Sequence, residues 1–97
     1  MNQNQMDEVR DIFSRYLEAN GHRKTPERFA ILEEIYSRNH HFDVEELFKS
    51  MKERNYRVSR ATVYNTLDLL INCHLVRKQQ FTGNLAQYEK RHGYSQQ

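Results

Sequence analysis

The sequence predicts a mainly α-helical domain closed by a small β-hairpin: a winged helix-turn-helix with one extra helix at its N-terminus. Three observations predict it. Apolar residues recur at helical spacing in four successive segments, most with a start or stop signal of their own. Two strand-like segments split by a short glycine-containing loop follow the fourth helix directly. That fourth helix starts at Ser59 and sets a polar face opposite its apolar stripe.

In the first segment Met6, Val9, Ile12, Phe13, Tyr16 and Leu17 share one helical face, and Asn20-Gly21 ends it. Thr25-Pro26 then supplies an N-cap and a proline at the first helical position. Phe29, Leu32, Ile35 and Tyr36 form the inner face of this second helix, with Ile31 beside them. Asp43 followed by Glu46 makes a capping box, and Val44, Leu47, Phe48 and Met51 give the third stripe. Ser59 caps the fourth helix, whose stripe runs Val63, Leu67, Leu70, Ile71 and His74. Residues 75–81 and 85–90 then alternate as strands around Thr82-Gly83-Asn84, a loop suited to a hairpin.

Composition sets the bounds. The 97 residues make one domain with a single modest core, and an apolar fraction of 37% keeps that core thin. Net charge is +2, so the arrangement of charge matters more than its total. A single cysteine excludes an internal disulfide and any CxxC zinc clamp within these residues. Cys73 falls late in the fourth helix and is expected to pack rather than react. No run approaches the roughly 20 apolar residues of a membrane span, and the Asn/Gln-rich start lacks a signal-peptide core. The expectation is a cytoplasmic protein. With no glycine-rich phosphate loop, nucleophile elbow or acid–base pair in a pocket, it is also expected not to be an enzyme.

The polar face of the fourth helix has the chemistry of a groove reader. Ala61 lets a backbone approach closely, while Thr62, Tyr64 and Asn65 offer methyl, ring and amide to base edges. Asp68 would repel phosphate if buried in a groove, so only the first two turns insert. Arg57 and Arg60 bracket the helix start, where guanidinium groups and the helix N-terminus together can meet phosphates. His22, Arg23 and Lys24 cluster ahead of the second helix, with Arg28 in its first turn. Arg77 and Lys78 open the hairpin, and Lys90 and Arg91 close it. A solvated polar face is the plain alternative for each residue alone, but less so for a cluster around one helix start.

Three segments bear a resemblance to the ferric uptake regulator family. Gly21-His22-Arg23-Lys24-Thr25-Pro26-Glu27-Arg28 resembles its G-x-x-x-T-x-x-R opening. His40-His41-Phe42-Asp43-Val44-Glu45-Glu46-Leu47 is similar to its H-h-x-x-x-x-x-L segment, and Ala61-Thr62-Val63-Tyr64-Asn65-Thr66-Leu67 to its A-T-V-Y recognition helix. The likeness runs from about residue 21 to residue 89. It implies the DNA-binding domain of a bacterial, metal-responsive repressor that binds AT-rich palindromes on double-stranded DNA. On this resemblance Tyr64 meets thymine methyls, Asn65 the neighbouring bases, Arg23 the minor groove, and Arg28 a phosphate. Asn65 stands where many members carry Arg.

The resemblance also bears on metal. Adjacent His40 and His41 are imidazoles of a kind that binds Fe, Mn, Zn or Ni, although exposed loop histidines are commoner than ligands. By resemblance His41 and Glu89 would be ligands of the regulatory site of the full-length family, which holds a divalent transition metal such as Fe, Mn or Zn. Two donors do not make a retentive site, and His92 does not match the family position. Residues 1–97 are therefore expected to form one winged-helix domain, without the C-terminal dimerisation and metal domain through which the full-length protein would be a homodimer. They are expected to hold no metal tightly. The competing class is a winged-helix protein-interaction module that touches no nucleic acid. Arg23, Arg28, Arg57 and Arg60 gathered near Tyr64 favour DNA over that alternative.

Overall fold

The computed structural model describes residues 3–80 and 86–91. Its elements are α1 (Gln3–Ala19), α2 (Pro26–Tyr36), α3 (Val44–Glu53), α4 (Arg60–Asn72), β1 (Val76–Gln80) and β2 (Ala86–Lys90). The expected loop Thr82-Gly83-Asn84 and the candidate donor His92 lie outside the described residues.

The starts of α2, α3 and α4 follow the residues expected to set them. The Thr25 hydroxyl accepts from the Arg28 amide at 3.3 Å, with Pro26 next in the chain. Asp43 and Glu46 close a full capping box, each side chain accepting from the other's amide at 2.8 and 2.9 Å. Ser59 accepts from the Thr62 amide at 3.0 Å. Each cap satisfies an amide that the helix cannot pair, worth about 1 kcal/mol.

Three helix ends share one device. Gly21 (φ 72°), Asn55 (φ 66°) and His74 (φ 66°) take the left-handed conformation just past α1, α3 and α4. The residue after each donates back to the final turn: His22 to Leu17 (2.8 Å), Tyr56 to Met51 (3.0 Å) and Leu75 to Leu70 (2.9 Å). This is the Schellman arrangement, in which otherwise unpaired carbonyls are satisfied. It corrects the fourth stripe: His74 has left the helix and is exposed, so Leu75 takes the buried place.

The core gathers the inner faces of all four helices and the base of the hairpin. Val9, Phe13, Leu17, Leu32, Ile35, Leu47, Met51, Val63 and Leu70 are fully buried. Phe29 and Phe48, expected inside, lie only partly buried at its rim, while Ala30 and Thr66 are buried instead. The Phe13 and Phe29 rings meet at 5.3 Å, tilted 57° to each other, and join α1 to α2. The buried Tyr36 hydroxyl donates to the Leu75 carbonyl at 2.7 Å, fastening α2 to the root of the wing.

β1 and β2 pair antiparallel from Val76↔Lys90 to Gln80↔Ala86. One further pairing was not expected. Phe42, ahead of α3, exchanges both backbone hydrogen bonds with Tyr88, at 2.9 and 2.8 Å. The wing is thus sewn to the start of α3, with the Phe42 and Tyr88 rings stacked at 6.0 Å.

Candidate nucleic-acid interface

Burial of Val63, Thr66, Leu67 and Leu70 turns one side of α4 inward and fixes what the other side shows. Ala61, Tyr64, Asn65 and Asp68 are exposed, and Thr62 is half-buried. Tyr64 is 51% exposed, the sole large hydrophobic side chain so exposed among the described residues. A ring held out to solvent by a rigid helix loses little further freedom on meeting a partner.

Beside Tyr64 lies a cleft of about 320 Å³ where the starts of α2 and α4 converge. Arg23, Thr25, Arg28, Arg57, Ser59, Thr62 and Asn65 line it, together with Glu27, Val58 and Thr66. Two helix N-termini at one cleft add their positive ends to three guanidinium groups, the arrangement that suits an anion. Arg28 donates to the Arg23 carbonyl at 2.6 Å, so it shapes the loop that carries Arg23. Arg23 and Arg57 are exposed and enter no ion pair among the described residues. The Thr66 hydroxyl, fully buried in the wall, has no hydrogen-bond partner there.

Arg60 behaves differently from expectation. Its Nε and Nη2 donate to the two carboxylate oxygens of Glu45, at 2.8 and 2.9 Å. Its guanidinium also lies 4.4 Å from the centre of the Phe48 ring. The hydrogen bond from Arg60 holds the Glu45 carboxyl below the usual range, and Glu45 raises Arg60 in turn. The pair is therefore fully charged at neutral pH.

Other carboxylates are also committed, away from the cleft. Glu33 pairs with Arg10 at 2.8 Å, and Glu34 with Arg54 at 3.3 Å and Arg38 at 3.8 Å. The basic residues of the wing are partly engaged: Arg77 lies 3.4 Å from Glu89, and Lys90 donates to the Tyr36 carbonyl at 3.4 Å. Arg23, Arg28 and Arg57 are the guanidinium groups left to define the cleft.

The two candidate metal ligands do come together. The Phe42–Tyr88 pairing sets their chain neighbours side by side, and His41 Nε2 stands 3.0 Å from Glu89 Oε1. The other oxygen of Glu89 accepts from Gln79 at 3.0 Å and faces Arg77. Imidazole and carboxylate are a suitable donor pair for a divalent transition metal. No cluster of three or more His, Cys, Asp or Glu forms among the described residues. His40 turns aside, its Nδ1 3.0 Å from the His41 carbonyl.

A helical core, a two-stranded wing and an outward-facing fourth helix agree with what known proteins show. The family model of the ferric uptake regulator family matches residues 19–96. The chain belongs to the ferric uptake regulator family. Among its relatives is the transcriptional regulator FurA of Mycobacterium tuberculosis, 39% identical over 71 residues, 73% of this chain and 48% of FurA. The Pseudomonas aeruginosa ferric uptake regulator, solved with manganese, matches at a TM-score of 0.67 and 31% identity, over 76% of this chain and 56% of that one. The Vibrio cholerae regulator matches at a TM-score of 0.68 and 26% identity, over 80% of this chain and 60% of that one. This chain spans about half the length of the curated relatives it matches. Its winged-helix fold is the one these regulators share. No helix among the described residues is long and apolar enough to cross a membrane.

Proposed function

We propose that this chain is the DNA-reading head of a metal-responsive transcriptional repressor that recognises AT-rich palindromic operators through α4. The observation that carries it is the cleft of Arg23, Arg28 and Arg57 at two converging helix starts, beside the outward Tyr64 and Asn65. Phosphate contacts set register and base contacts set sequence, and the two kinds of group stand next to one another here. Tyr64 and Thr62 meet thymine methyls, Asn65 a base edge, and Arg23 an adjacent narrow minor groove. Arg28 and Arg57 serve the phosphates. The Vibrio cholerae relative, described as having rearranged DNA-binding domains, supports the assignment. The reading gives the chain no catalytic role.

In the whole protein two such heads would be joined as a homodimer, each taking half a palindrome. The manganese-bound Pseudomonas aeruginosa relative supports a metal-responsive parent. In this chain His41 and Glu89 would contribute two of the donors, and a divalent metal bound there would fix the wing against the start of α3. Two donors hold such an ion weakly, and no step of DNA reading by the isolated head depends on it.

The test is a fluorescence-anisotropy titration of an AT-rich inverted repeat against a scrambled duplex of equal length, at two salt concentrations. The head is expected to favour the repeat and to lose affinity as salt rises. Binding of neither duplex would overturn the proposal and move the assignment to a protein-interaction module.

A further inference from the structure

Glu45 stands in α3, 15 residues before Arg60, yet its carboxylate sits at the opening turn of α4. It takes the Nε–Nη2 edge of the guanidinium in two hydrogen bonds, the geometry a phosphate would otherwise take. Phe48, one turn further along α3, supports the same guanidinium from its flat side at 4.4 Å. Exposed ion pairs of this kind contribute little to folding stability, so stability alone gives no reason for so complete an arrangement. Its position gives one. Arg60 flanks the cleft whose other guanidinium groups remain available, and Glu45 removes it from that set.

We propose that Glu45 is a specificity-determining residue that occupies Arg60 as an internal stand-in for phosphate and so suppresses sequence-independent DNA binding. This rests on the DNA-reading assignment above. A phosphate that would take the Nε–Nη2 edge of Arg60 must displace a carboxylate already seated there, and one approaching the remaining N–H groups lies beside that carboxylate's charge. Encounters that use the backbone alone lose one cation. Contacts by Tyr64 and Asn65 to bases are unaffected, so the ratio of specific to non-specific binding rises. The Glu45–Arg60 pair thus exchanges raw affinity for discrimination.

The experiment is a double-mutant cycle of E45Q and R60A on the full chain, by anisotropy titration of the repeat and the scrambled duplex across salt. Freeing Arg60 adds about one phosphate contact, so E45Q steepens the log–log salt slope by about 0.9 and tightens scrambled DNA roughly tenfold at low salt. The preference for the repeat falls. R60A alone leaves the slope nearly unchanged, and E45Q in the R60A background gains nothing. Glu45→Asp keeps the charge but shortens the reach, and should give a smaller steepening in the same direction. An E45Q slope equal to the parent's overturns the proposal while leaving DNA reading intact. An equal gain in the R60A background also overturns it, by showing a general charge effect. If the parent binds no duplex, DNA reading fails and this proposal fails with it.

Discussion

Tyr64 carries the sharpest prediction at the scale of single residues. It is half exposed on a helix whose buried side is complete without it, so removing its ring leaves the core untouched. Tyr64→Ala is expected to keep the thermal midpoint within about 2 °C, as surface changes usually lie within ±0.5 kcal/mol. Its preference for the AT-rich repeat should fall by roughly five- to fiftyfold, the loss of one good base contact. Full preference in the variant would remove α4 from base reading. Cys73 offers an independent check. Burial pushes its thiol up to about 11, so at pH 7 only about one molecule in ten thousand carries the thiolate. Alkylation by iodoacetamide should run about a hundredfold slower than for a free thiol and climb until about pH 11; a fast reaction at pH 7 would contradict the packing role. Tyr64 and Asn65 were legible in the sequence because helical phase alone assigns their faces, whereas Cys73, expected late in α4, caps its end instead. The partner of Arg60 was not legible, because Glu45 reaches it only after α3 and α4 pack.

At the scale of elements, local signals were the readable part. Thr25, Asp43 and Ser59 each act within three residues of chain, so their caps could be seen before any fold existed. Gly21 likewise marked the end of α1. The ends of α3 and α4 were harder, since Asn55 and His74 do the work of glycine there. Counting apolar spacing through His74 ran two residues past the end of α4 at Asn72. That miss yields a prediction. A non-glycine residue in the left-handed conformation costs about 1 kcal/mol, and the exposed His74 side chain loses little by removal. His74→Gly is therefore expected to raise the thermal midpoint by about 4–8 °C, read by circular dichroism. A lowered midpoint would mean the imidazole makes a stabilising contact that outweighs the backbone strain. The Phe42–Tyr88 bridge was invisible for another reason. Two residues pairing across a separation of 46 positions leave no periodicity in either segment, yet this bridge is what sets His41 beside Glu89.

For the molecule as a whole, charge arrangement outweighs net charge. A balance of +2 would suggest weak attraction to DNA, but Glu33, Glu34 and Glu45 are held in ion pairs away from the cleft, where Glu27 is the carboxylate among the lining residues. What remains is a small set of cations at Arg23, Arg28 and Arg57, so affinity should be modest and steeply salt-dependent. Two phosphate contacts, at Arg28 and Arg57, predict a log–log slope of about −1.8, with dissociation constants on the order of 10⁻⁴–10⁻⁶ M at physiological salt. Metal should leave both quantities alone. His41 and Glu89 supply two donors, one of them already facing Arg77, whereas transition metals are retained by four or more. Adding Mn²⁺ to the 97-residue chain is therefore expected to shift neither slope nor preference. Two heads joined by a flexible linker matched to the half-site spacing should instead bind the inverted repeat about 10²–10⁴-fold more tightly, through effective concentration alone. A strong Mn²⁺ response in the single head would mean that further donors assemble around His41 and Glu89. Failure of the linked pair to gain would mean that the two heads do not read the two halves of one palindrome.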